Sequence, residues 1–242
     1  MEKFHRPEHI FEEKGRIGKL SQIRELVLGA QDGLLVPLGV VSSVAGAFSN
    51  NNIVIVAGIA EALAGGLSMA TGVFLSSQAQ RQLHISEIKK EKEAIKTYPE
   101  DEHEELILMF EKEGLARNDA ETVVQKIAAS PNSFFTTMVQ KELGIDPEPP
   151  GAPLKDGFYV GVSYLAAAFI PIFPYFFIPS QQALVYSILF TLAALFVIGI
   201  LKAIVAGLPL LKSGIQVLLI GALSGIGGYL LGTYLPYLLG IK

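Results

Sequence analysis

The 242-residue chain contains no cysteine, which excludes disulfides and thiolate metal sites and leaves methionine and histidine as the only soft ligands. It has no Walker loop, no dinucleotide fingerprint and no nucleophile elbow, so chemistry built on nucleotide hydrolysis or a serine nucleophile has no motif to rest on. An excess of positive charge is missing too. The formal net charge is -4, which argues against a nucleic-acid partner. The opening MEKFHRPEHIFEEKGRIGKL lacks the apolar core and small-residue cleavage site of a signal peptide. What is abundant is apolar surface: 50% of residues are hydrophobic and mean hydropathy is +0.44. That is too apolar for an ordinary soluble domain and fits a small all-α membrane protein.

The chain is organised around AGIAEALAGGLSMATGVFLS, residues 57–76. About 20 mostly apolar residues cross a bilayer as a helix, and Ile53 to Leu75 qualifies, with Glu61 inside it. A carboxylate at membrane depth is costly and by default marks an ion or proton pathway. The plainer reading is a tightly packed helix whose glutamate bonds a neighbouring backbone. Met69 follows two turns later, within roughly 80° of the same face. Ala60, Ala64, Ser68 and Gly72 recur every fourth residue, a pattern that lets another helix approach closely.

Four further spans are expected, at 23–48, 158–178, 183–208 and 215–239. The first carries Asp32 beside Gly33, with Pro37 five residues on. Proline removes a backbone donor and kinks the helix, and an acid beside such a kink suits cation binding, although an acid near the membrane edge is also simply solvated. The last three spans have no acid in their apolar cores; Asp156 stands at an entrance and Lys202 at an end. In the final span Gly221, Gly225, Gly228 and Gly232 mark close-packing positions.

Between spans two and three the composition turns acidic. Residues 81–148 hold fifteen Asp and Glu against nine Lys and Arg. The second helix should run on to Thr97, where Pro99 stops it. Short helices are expected near 100–113, 118–129 and 133–143, with Gly114 as a stop, Asn118 or Asp119 as a cap and Pro131 as a separator. The organisation expected is thus a lead-in (1–20), spans one and two (21–79), an acidic helical insert (80–146), a stiff linker (147–156) and spans three to five (157–242). Lys and Arg are concentrated in the lead-in, in the insert and around the fourth-to-fifth connection. A cytoplasmic N-terminus and insert with an outer C-terminus satisfy every loop.

Within the insert Glu87 and Glu91, Glu102 and Glu105, and Met138 and Glu142 each share a helix face. Converging carboxylates form an oxygen-rich site for divalent cations, and a thioether tilts preference towards Fe²⁺ and other transition metals. Against this, acidic helices are usually solvated faces and methionines usually core. Glu100-x-x-His103 has the spacing of half a di-iron motif, but no second copy exists and we read it as coincidence.

Together LGAQDGLLVPLGV, AGIAEALAGGLSMATGVFLS, the insert ending MVQKELGI, and FVIGILKAIVAG before a glycine-rich last span resemble the vacuolar iron transporter family over nearly the whole chain. The resemblance implies a homodimer of five-span subunits, not an enzyme and without a prosthetic group. Such a dimer moves Fe²⁺, and often Mn²⁺ or similar divalent ions, out of the cytosol in exchange for protons. Asp32, Glu61 and Met69 match the family's pathway positions, and Glu91, Glu102, Glu105, Met138 and Glu142 its cytoplasmic metal ligands, with Glu87 nearby. It also implies an integral protein of a prokaryotic plasma membrane or a vacuole. The chain departs from the family at Val73 and Ala94, where glutamates are usual, and at Val139, where a second methionine often stands. The competing expectation is a non-transporting membrane protein whose acidic insert senses metal or docks a partner.

Overall fold

A computed structural model describes residues 7–149 and 151–240. Its regular elements are all helical: α1 (Pro7–Ala47), α2 (Asn51–Thr97), α3 (Pro99–Lys112), α4 (Arg117–Ala128), α5 (Pro131–Lys141), α6 (Pro153–Ile172), a 3-10 turn (Phe173–Phe176), α7 (Ser180–Ala206) and α8 (Leu210–Leu238). The first six residues of the expected lead-in, and Pro150 of the expected linker, lie outside the described residues.

Several boundaries follow directly from the sequence. Tyr98 breaks α2 from α3, and Pro99 opens α3 where its missing N–H costs nothing. Gly114 takes a left-handed φ of 106° after α3, as a helix stop does. Ser130 caps α5 by accepting from the Ser133 N–H ahead of Pro131. Two expectations are corrected. The N-cap of α4 is Ala116, with no side-chain cap bond, so Asn118 and Asp119 lie inside the first turn, where an acid meets the positive end of the helix dipole. And α6 begins at Pro153, inside the stretch expected to be linker.

Among the described residues, five helices are long and apolar enough to cross a membrane: Ile23–Ala47 within α1, Asn51–Thr97, Pro153–Phe176, Ser180–Ala206 and Leu210–Leu235. The most apolar, α7, has a mean hydropathy of 2.6, yet only 22% of its apolar window is buried. So much aliphatic surface left uncovered is stable against hydrocarbon and not against water. The chain is an integral membrane protein.

The chain divides into two compact units, one running to Phe74 and resuming at Pro153, the other Leu75–Ala152. In the first, α1 packs on α6, α7 and α8, and α7 packs on α8. Small residues set the contacts: a Cβ on Gly228 would strike the Gly39 backbone, and one on Gly232 the Ser43 backbone. The Ser224 hydroxyl donates to the Leu35 carbonyl across this seam at 2.9 Å. At the start of α2, the Asn51 side-chain amide donates to the carbonyls of Tyr175 and Ile178, at 2.7 and 2.6 Å. In the second unit Leu106, Val124, Phe134 and Met138 form a core, with Ile95 packed against it.

Candidate functional site

Glu61 sits midway along the apolar part of α2 and is half-buried. Its Oε1 accepts a 2.5 Å hydrogen bond from the Tyr164 hydroxyl on α6, while its Oε2 is buried with no hydrogen-bond partner among the described residues. The partner of this carboxylate is thus a phenol on another helix and not a neighbouring backbone. Tyr164 is itself 2% exposed and belongs to an apolar cluster of Val41, Val54, Ala62, Ala168 and Ile172, against which Met69 packs. Gly65 makes room for the pair, since a Cβ there would run into both the phenol and the carboxylate.

Asp32 reaches the same place from α1. A Cβ on its neighbour Gly33 would lie 2.8 Å from Tyr164 Cα and closer still to the Tyr164 carbonyl. The two backbones therefore touch, and Asp32 lies within electrostatic range of the Tyr164 hydroxyl. Glu61 thus bonds, and Asp32 acts electrostatically on, a tyrosine that sequence reasoning did not single out, and Met69 packs on the cluster that contains it. The available signal was a phenol inside an otherwise apolar span, which needs a polar partner when buried. Glu25 was missed as well. It is 3% exposed and paired with Arg24 at 2.5 Å, and it precedes Asp32 by seven residues, two turns along one face.

In the second unit, oxygens of Glu91, Glu102 and Glu142 all lie within 4.8 Å of one another. Glu91 and Glu102 are 5% and 8% exposed, and each has one buried carboxylate oxygen without a partner among the described residues. Glu105 is exposed, but its charge acts on both. Glu87 stands apart, accepting from Lys90 at 2.7 Å. Met138 is fully buried in the unit's apolar core, as the plainer reading of an insert methionine anticipates. His103 stacks on Phe134 at 4.5 Å and donates from Nδ1 to the Pro99 carbonyl, a structural use that fits reading Glu100-x-x-His103 as coincidence. Arg117 binds Glu104, Glu111 and Glu121 at 2.6, 3.3 and 2.9 Å, so these acids share one cation and do not join the cluster.

Burial first, then the charges of Glu142, Glu102 and Glu105, push the Glu91 carboxyl up to about 7. Burial, then Glu142, Glu105 and Asp101, also raise Glu102. The proton on Glu91 accordingly contributes stability that is complete below its ordinary value of 4.5 and is lost as pH rises through about 7. A divalent cation that replaces this proton should release it. Binding of Mn²⁺ to the full-length protein at pH 6 should liberate about one proton per site, and almost none at pH 8.5. Calorimetry in buffers of different ionisation heats measures this directly. Equal release at both values would mean that Glu91 is not displaced.

Carboxylates at span depth, as Asp32 and Glu61 are, are the usual mark of an ion or proton path in an integral membrane protein. The sequence profile of the VIT family matches residues 23–233. Vacuolar iron transporter 1 of Arabidopsis thaliana is 31% identical over 216 residues, covering 89% of this chain and 86% of that protein. Vacuolar iron transporter 1 of Tulipa gesneriana is 32% identical over 208 residues, covering 86% and 84%. The vacuolar iron transporter of Plasmodium falciparum is 27% identical over 223 residues, covering 88% and 82%. The chain belongs to the VIT family.

Proposed function

We propose that this protein is a divalent metal transporter that moves Fe²⁺, with Mn²⁺ as the second candidate, out of the cytosol in exchange for protons. The observation that carries the reading is Glu61, whose Oε1 is fixed by Tyr164 while Oε2 is buried and unpartnered. Asp32 supplies a second carboxylate beside the same phenol, and Met69 a thioether that favours transition metals. Glu25, two turns before Asp32, is the first acid of this path. A proton and a cation compete for the same lone pairs. Protonation of these acids on the far side of the membrane therefore releases the metal and couples the two fluxes.

Leu75–Ala152 acts as the cytoplasmic collector, with Glu91, Glu102 and Glu142 as ligands and Glu105 adding field. Met138 stays in the core, which makes this a site of oxygen ligands. The functional unit is a homodimer: Ala60, Ala64 and Ser68 are exposed and Gly72 has nothing within 4 Å of its would-be Cβ, so the small-residue stripe on α2 is left for a second copy. Metal uptake into proteoliposomes, read with a metal-quenched dye and a pH dye, tests the proposal. Fe²⁺ flux with opposed proton movement supports it, and metal binding without flux under a good pH gradient would sink it.

Tyr164→Phe isolates the phenol. It removes a hydrogen bond to a carboxylate, worth about 1.5–3 kcal/mol, so the apparent metal affinity in the same assay should fall by roughly ten- to a hundredfold. An unchanged concentration dependence would show that Tyr164 plays no part in holding Glu61 for the ion.

A further inference from the structure

We propose that the groove between the middle of α1 and the C-terminal half of α7 binds one anionic glycerophospholipid, one of its acyl chains lying in the groove and its headgroup on Lys202 and Arg24. The groove encloses about 710 Å³ among α1, α6 and α7. Its lining includes the small residues Ala30, Ala166, Ala167 and Ala194. Ser163 is the one hydroxyl in its wall, and it already donates to the Val160 carbonyl at 3.0 Å. Such a lining offers a polar ligand nothing and suits a hydrocarbon chain.

A second cavity of about 310 Å³ shares the walls Ile23, Val27 and Val205 with the first. Its lining adds Arg24, Gln31 and Lys202. Apolar trough and polar head therefore lie side by side against common walls, at one end of the spans. Glu25 compensates one of the two cations through its pair with Arg24. Lys202 is exposed and has no partner among the described residues, and Arg24 keeps Nη1 outside its ion pair. The headgroup end thus carries a net positive charge, which selects an anionic lipid over a zwitterionic one. Basic pockets between spanning helices bind acidic headgroups for this reason. The inference needs the membrane span and the charges only, and stands apart from the transport reading.

The test uses the full-length protein, delipidated in maltoside detergent and titrated with phosphatidylglycerol or phosphatidylcholine of identical chains, with bound lipid counted by native mass spectrometry. Phosphatidylglycerol should be retained about fivefold better, the effect of roughly one cation near the headgroup. Lys202→Gln should abolish that preference and Lys202→Arg should keep it. Ala166→Phe, at an exposed wall position, should remove retention of phosphatidylglycerol with both cations still present. Equal retention of the two lipids by the unaltered protein overturns the proposal, as does undiminished preference in Lys202→Gln. Full retention in Ala166→Phe would also overturn it, because the charge alone would then be acting without a groove.

Discussion

Glu61→Gln should abolish metal uptake while leaving a folded protein in the membrane. Glutamine keeps the length of the side chain and an oxygen for the Tyr164 hydroxyl, which now binds Glu61 Oε1 at 2.5 Å. It removes the charge that a cation needs in a site walled by Val41, Val54 and Ile172. Removing one member of a buried charge pair costs about 3–5 kcal/mol, so affinity should fall by at least about a hundredfold. Substrate concentrations that saturate the unaltered protein would then give no measurable flux. Glu61→Ala should be equally inactive, and less stable because it also orphans the phenol. The decisive readout is proteoliposome flux beside the thermal midpoint in detergent. Retained flux in a folded Glu61→Gln protein would remove Glu61 from the pathway and with it the proposed mechanism.

The second large effect is expected at Gly33, where the change adds a methyl-bearing side chain and alters no charge. The Cβ of Gly33→Val would stand 2.8 Å from Tyr164 Cα, and a helix backbone cannot swing aside as a side chain does. Helices α1 and α6 must separate, which costs about 1–3 kcal/mol for ordinary overpacking and more where both partners are backbone. The separation also moves Asp32 away from Tyr164, so stability and transport should fall together. Gly33→Ala should give a smaller loss of both. A Gly33→Val protein with unchanged melting and flux would contradict the α1–α6 contact itself.

Much of this was legible in the sequence because the signals were local. Hydropathy over about twenty residues set the spans, Pro99 ended α2, and Gly114 ended α3. Asp32 and Glu61 stood out because a carboxylate at span depth conflicts with its surroundings. Partnerships were not legible. Tyr164 lies 103 residues from Glu61, and nothing within a span says which neighbour a phenol will face. Glu25 gave no signal of its own beside the charged lead-in, and packing leaves it 3% exposed. In the acidic unit the helix-face pairing placed Glu91 and Glu102 in different pairs, whereas tertiary packing joins them to Glu142 and leaves Glu87 to Lys90. Met138 shares a face with Glu142 in sequence, but the short helices have little else to bury, and the core takes it.

The two hydrogen bonds from Asn51 to the corner between α6 and α7 act as an anchor for α2. They fix the first turn of that helix to two carbonyls of another part of the chain. About 29 Å further along, at 1.5 Å per residue, a Cβ on Gly157 of α6 would stand 2.5 Å from the Ala70 carbonyl, so the two helices touch again there. Glu61 and Met69 lie between these two points. The stretch of α2 that carries them is a beam supported at both ends: it can bow or twist, but a swing that carried either side chain away from α6 would have to break one of the supports.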